Sequence, residues 1–202
     1  MTAAWASVSE CTLSVHQTGA VKVVVISGPI ASGKSTVGRA VAVELSGLGF
    51  DAAIVDLDLV YEILDPPLEP KTDASKWSEA RRLAAQITSD LVGSRSAVVI
   101  EGEFATESQR AEFEDALPND LDARFVTLAL DVDEAWRRAS TDFTRGISRD
   151  RDFLVAHYEA WNEMPPIASD FTVANGEISA AVAARLVANW LLDGSDGDWP
   201  RQ

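Results

Sequence analysis

From Val21 onward the chain alternates between two apolar patterns. Short β-branched runs are followed by longer segments whose apolar residues recur at helical spacing. Val21 to Ile26 predicts a buried strand, and Val37, Ala40, Val41, Leu45 and Leu48 predict the helix after it. Ala52 to Val55 predicts a second strand, with a short helix through Tyr61 and Leu64. Pro66-Pro67-Leu68-Glu69-Pro70 then imposes an irregular loop. A longer helix is expected from about Lys76 to Val92, with Ala80, Leu83, Ala84, Ile87 and Leu91 on one face. Ala97 to Ile100 predicts a third strand. Thr106 and Gln109 resemble a capping box opening a helix that turns Phe113 and Leu117 inward. A fourth strand is expected from about Arg124 to Leu130, then helices around Glu134 to Arg138 and from about Asp150 to Trp161, ending before Pro165-Pro166. Phe171 to Ala174 predicts the fifth strand, and Val182, Leu186, Val187 and Trp190 the last helix. Such alternation predicts an α/β fold, a parallel sheet covered by helices. Residues 1–20 read as an irregular extension, 21–192 as one domain, and 193–202 as a polar tail.

Composition narrows the picture. A length of 202 residues fits one domain with a sizeable core. The formal charge of −15, from 32 acidic against 17 basic residues, argues against nucleic-acid or anionic-membrane partners. No apolar run approaches the roughly 18 residues of a membrane span. Met1 to Gln17 lacks the basic start and apolar core of a signal peptide, so a cytoplasmic protein is expected. The single cysteine, Cys11, excludes an intrachain disulfide. The two histidines, His16 and His157, are isolated and suggest no metal cluster. His157 lies among Phe153, Leu154, Tyr158 and Trp161 and reads as a packed or surface histidine rather than a base. Trp136, Tyr158, Trp161 and Trp190 read as core or lid packing.

The strongest chemical signal is Gly28-Pro29-Ile30-Ala31-Ser32-Gly33-Lys34-Ser35, which fits the phosphate-binding pattern G-x-x-x-x-G-K-[ST] between a strand and a helix. Gly28 and Gly33 permit a tight turn that aims backbone N–H groups inward. The N–H groups from Ile30 through Ala31, Ser32, Gly33, Lys34, Ser35 and Thr36, at a helix N-terminus, would cradle a polyphosphate. Lys34 would reach the β- and γ-phosphates of ATP, and the Ser35 hydroxyl would ligate Mg²⁺.

Acidic residues close the second and third strands, where parallel sheets place ligands. Asp56 and Asp58 lie on opposite sides of a local β alternation, and Glu101 and Glu103 flank Gly102. Asp56 and Glu101 are candidate Mg²⁺ ligands; Asp58 and Glu103 both remain open as the base that accepts an acceptor's proton. Solvated strand ends are the alternative for all four. Arg145 and Arg149, either side of Gly146, are candidate lid arginines that stabilise a transferring phosphoryl group, or else surface partners of Asp142, Asp150 and Asp152. The lid would span about 139–152. Trp77 and Arg81, with Lys76 and Arg82, either bind the acceptor or serve as one packed tryptophan and surface charge.

With these motifs the chain resembles small P-loop kinases of the shikimate kinase, gluconate kinase and chloramphenicol phosphotransferase type, over about Val21 to Leu192. The resemblance implies a three-layer fold with five parallel strands in the order 2-3-1-4-5 and an arginine-bearing lid after the fourth. Asp56-Leu57-Asp58 resembles the D-x-D of shikimate kinases, whose first acid helps the Mg²⁺ site and whose second holds the acceptor hydroxyl. It also implies an adenine pocket at Arg138 and the segment Ala174-Asn175-Gly176. One departure is plain. Where shikimate kinases carry a glycine pair after the third strand, this chain reads Glu101-Gly102-Glu103-Phe104, so shikimate itself is not the expected acceptor.

The leading expectation is an ATP- and Mg²⁺-dependent phosphotransferase acting on a small hydroxylated acceptor, as monomer or homodimer. A nucleoside or nucleotide kinase, with Arg81 and Arg82 meeting an acceptor phosphate, is one alternative. A nucleotide-binding switch or regulatory ATPase is another. No N-K-x-D segment supports a GTPase, the length argues against a large AAA+ module, and Leu45-Ser46-Gly47 lies too close to the P-loop helix for an ABC signature.

Overall fold

The computed structural model describes residues 22–64, 73–143, 146–165, 167 and 171–193. The expected extension over 1–20, the proline loop around Pro66, Arg145, and the tail after Asp193 lie outside the described residues.

Among the described residues five strands form one sheet: β1 (Lys22–Ser27), β2 (Ala52–Asp56), β3 (Ala97–Glu101), β4 (Ala123–Ala129) and β5 (Phe171–Ala174). Their order is β2-β3-β1-β4-β5, with every pairing parallel. The α-helices described between and after them are α1 (Lys34–Gly47), α2 (Leu57–Leu64), α3 (Ala74–Val92), α4 (Glu107–Glu114), α5 (Val132–Thr141), α6 (Arg151–Glu163) and α7 (Ala180–Asp193). A 3-10 turn at Ile147–Arg149 precedes α6.

The period of two along β1 decides the layers. Val24 and Ile26 face α1 and α7, in a core with Val41, Leu45, Val187 and Leu191. Val23 and Val25 face the opposite core, with Ala80, Ala84, Phe104 and Phe113. Central strands covered on both faces explain the unbroken apolar runs in the sequence. A third cluster, Ala31, Ala135, Ala139, Leu154 and Tyr158, seats α5 and α6 on the phosphate loop.

Local chemistry sets the helix starts. Asp73, Thr106, Asp131 and Asp150 each accept a backbone N–H in the first turn of α3, α4, α5 and α6. The Thr106 cap holds as expected, at 3.2 Å to the Gln109 N–H. Gln109 Oε1 reaches back to the Ala105 N–H at 2.7 Å rather than to Thr106 itself. One local expectation fails. Asp58 is not on a strand: β2 ends at Asp56 and α2 begins at Leu57. Asp56 Oδ1 accepts the N–H of Asp58 at 2.9 Å, so a side-chain cap replaces the β alternation.

Candidate active site

The register of the sheet gathers the site. Asp56 pairs with Glu101, and Glu101 with Ile26, so the carboxyl ends of β2, β3 and β1 finish side by side. The phosphate loop emerges beside those acids.

The loop turns through positive φ at Gly28, Ala31 and Gly33, at 151°, 63° and 97°. A Cβ on Gly28 would stand 2.7 Å from Ser32 Oγ and 2.8 Å from the Leu128 carbonyl, so only glycine fits. α1 starts at Lys34 with no side-chain cap at Gly33, and a helix N-terminus of this kind suits an anion. Lys34 Nζ donates to the Gly28 and Pro29 carbonyls, at 2.9 and 3.1 Å. Its ammonium therefore already stands over the loop.

Glu101 is buried, at 3% exposure, and its Oε2 has no hydrogen-bond partner among the described residues. Burial pushes its carboxyl above the usual range, Ser35 beside it works the other way, and Asp56 adds to the rise. A hydroxyl and two carboxylates are hard oxygen donors, the set Mg²⁺ prefers alongside phosphate oxygens. No group of three or more His, Cys, Asp or Glu suited to a metal exists among the described residues.

A cavity of about 540 Å³ opens from the loop. Lys34, Ser35 and Thr36 wall one side; Asp58, Trp77, Arg81 and Glu103 line it with Gln109, Phe153 and His157. Trp77 rests on Tyr61, ring centroids 4.3 Å apart. Arg81 is 6% exposed, and its Nε binds Glu112 Oε2 at 2.6 Å, so it is no ordinary surface charge. Arg82 lines a separate hollow with Glu112 and Asp115.

On the other side of the loop, Asn175 Nδ2 donates to the Ser32 carbonyl at 2.6 Å. Arg138 spans Glu134 at 2.8 Å and the Asn175 carbonyl at 2.7 Å, and a Cβ on Gly33 would stand 3.6 Å from its Nη1. Arg138 and Asn175, the residues at which the resemblance implies an adenine pocket, therefore meet beside the loop. Arg149 is not brought in. Its guanidinium lies over the Phe143 ring at 5.0 Å, while Gly146, Ile147 and Ser148 face the cavity in its place.

His157, read from the sequence as a packed or surface histidine, packs against the loop, a contact that the sequence did not announce. Its Nε2 accepts the Ile30 N–H at 3.2 Å, and it is half-buried against the cavity. The only local signal was a polar residue on the inner side of an apolar helix.

A parallel sheet in this order, a glycine-framed loop and acids at the neighbouring strand ends define a P-loop nucleotide-binding fold. The chain belongs to a family described as an AAA domain, whose model matches residues 23–145.

Several of the solved structures it resembles are kinases. The Mycobacterium tuberculosis APS kinase CysC in complex with AMPPNP and APS is 18% identical, with a TM-score of 0.62 over 87% of this chain and 99% of that one. Shikimate kinase from Acinetobacter baumannii in complex with shikimate is 19% identical, with a TM-score of 0.56 over 86% and 94%. A gluconokinase from Sinorhizobium meliloti 1021 is 19% identical, with a TM-score of 0.52 over 86% and 97%. These likenesses extend the common fold across most of the chain. No curated protein matches the sequence. Among the described residues no helix is long and apolar enough to cross a membrane.

Proposed function

We propose that the chain is an ATP- and Mg²⁺-dependent phosphotransferase that moves the γ-phosphate to a hydroxyl of a small acceptor. The observation that carries this is the cavity. One space of about 540 Å³ joins the phosphate loop to Asp58, Trp77, Arg81 and Glu103. That volume suits a small ligand beside a nucleotide's terminal phosphate.

The loop amides and Lys34 bind the phosphates, Lys34 exchanging the Gly28 and Pro29 carbonyls for phosphate oxygens. Ser35, Glu101 and Asp56 are the residues to hold Mg²⁺, which when bound neutralises charge on the phosphate oxygens. Trp77 and Arg81 orient the acceptor. Asp58 or Glu103, both on the cavity wall, accepts the hydroxyl proton. Arg138 and Asn175 flank the nucleotide's base. Arg149 would act on the transferring group only after leaving Phe143, together with Arg145 in a closing lid. The separation of Arg82 from the cavity weakens the nucleotide-acceptor alternative, which needed both arginines.

The test is ADP release from Mg-ATP across a panel of antibiotics, sugars, sugar acids and nucleosides. One compound class should stimulate release, and Lys34→Ala should abolish the stimulation. A flat panel with nucleotide bound would favour a regulatory ATPase.

A further inference from the structure

Two consecutive residues of α6 grip one residue of the phosphate loop. His157 Nε2 accepts the Ile30 N–H at 3.2 Å, and Tyr158 Oη donates to the Ile30 carbonyl at 3.0 Å. Both polar groups of Ile30 are thus held from outside the loop. Ile30 precedes Ala31, a non-glycine residue at φ 63°, and such a conformation persists only where its surroundings hold it. Ala31, Leu154 and Tyr158 share one apolar cluster, so the contact is packed as well as hydrogen-bonded.

An imidazole nitrogen accepts a hydrogen bond only while it carries no proton. A charged His157 ring loses that lone pair and meets Glu103 Oε2, 3.5 Å away. The neutral ring holds Ile30; the charged ring serves Glu103 instead. The charged groups facing His157 are Glu103, after β3, and Lys34 of α1. From α5, packed against the same helix, Asp133 reaches Arg151 at 3.6 Å rather than His157. Burial lowers the ring's pKa from 6.5, Glu103 pulls it up, and Lys34 lowers it again.

We propose that His157 is a positioning residue which, with Tyr158, clasps Ile30 from α6, so that the loop binds phosphate fully only while the His157 ring is neutral. Its effect passes through Ile30 to the loop amides. It rests on the phosphotransferase reading only in requiring that the loop bind a nucleotide.

The test has two parts. The first is the affinity for a non-hydrolysable ATP analogue with Mg²⁺ from pH 8 to 5.5, in wild type and His157→Gln. Glutamine can accept the same N–H and does not titrate, so the nucleotide's own titration cancels in the comparison. Wild type should lose about fivefold more affinity than the variant, the worth of one hydrogen bond. Equal losses would overturn the clasp while leaving the kinase reading intact, whereas no binding at any pH would overturn both. The second part needs no variant. The chain has only two histidines, so imidazole NMR signals are readily assigned. The Ile30 amide shift should follow His157 as it titrates below 6.5. An amide that stays constant while His157 titrates would refute the clasp.

Discussion

Gly102→Ala strikes the junction between β3 and the start of α2. A Cβ at position 102 would stand 2.6 Å from Leu57 Cβ and 2.7 Å from Leu57 Cδ2. Carbon atoms pack at about 3.5–4.0 Å, so about 1 Å must be recovered. Rotating Leu57 moves its Cδ2 but not its Cβ, which is fixed to the backbone. Leu57 is itself 1% exposed. The first turn of α2 or the end of β3 must therefore shift. Overpacking of this kind costs about 1–3 kcal/mol. For a chain of this size each kcal/mol moves the melting midpoint by about 2–4 °C, so a fall of about 2–12 °C is expected. The displaced segments carry Asp58, Glu101 and Glu103, and turnover should fall further than stability does. Gly47→Ala is the control. Nothing lies within 4 Å of its added Cβ at the end of α1, and it should melt at or above wild type. Circular dichroism melts of both variants decide the matter. A Gly102→Ala protein as stable as wild type would refute the close approach of β3 and α2.

Asn175→Ala should leave the Ser32 carbonyl without its 2.6 Å partner, costing about 1–3 kcal/mol in a thermal melt and weakening nucleotide binding by calorimetry. Of Asp58→Asn and Glu103→Gln, the variant that removes the base should lower kcat by about 10²–10⁴ with little change in nucleotide affinity; equal, small effects would deny both a proton-accepting role. The Arg137 and Arg138 hydrogen bonds hold the Glu134 carboxyl down to about 2, against an ordinary 4.5. A depressed carboxylate stabilises above its unfolded pKa and is lost as pH falls through the folded one. The tie between Glu134 and Arg138 should therefore persist from pH 8 to 5 and fail between about 4.5 and 2, read by acid titration of wild type against Glu134→Gln.

The sheet and the phosphate loop were legible because their signals are local. Val23 to Ile26 must be a buried strand, and Gly28 and Gly33 have no other reason to frame Lys34. The acids at the ends of β2 and β3 were legible as a set, though not Asp58 as a helix residue. A side chain two residues back decided that, by capping α2. What stayed illegible depends on distant partners. Ile30 lies 127 positions from His157, and no spacing within α6 announces it. Glu112 lies 31 positions from Arg81 and turns an apparent surface arginine into a buried wall of the cavity. Arg149 was placed by its neighbourhood to Gly146, but the 3-10 turn directs it to Phe143.

The central claim is transfer of phosphate to an acceptor bound in the cavity. It is tested most directly by following the γ-phosphate of labelled Mg-ATP in the presence of the compound class that stimulates ADP release. The account predicts label covalently attached to an acceptor hydroxyl, and none transferred by Lys34→Ala. Label recovered only as inorganic phosphate, with the acceptor chemically unchanged, would contradict it.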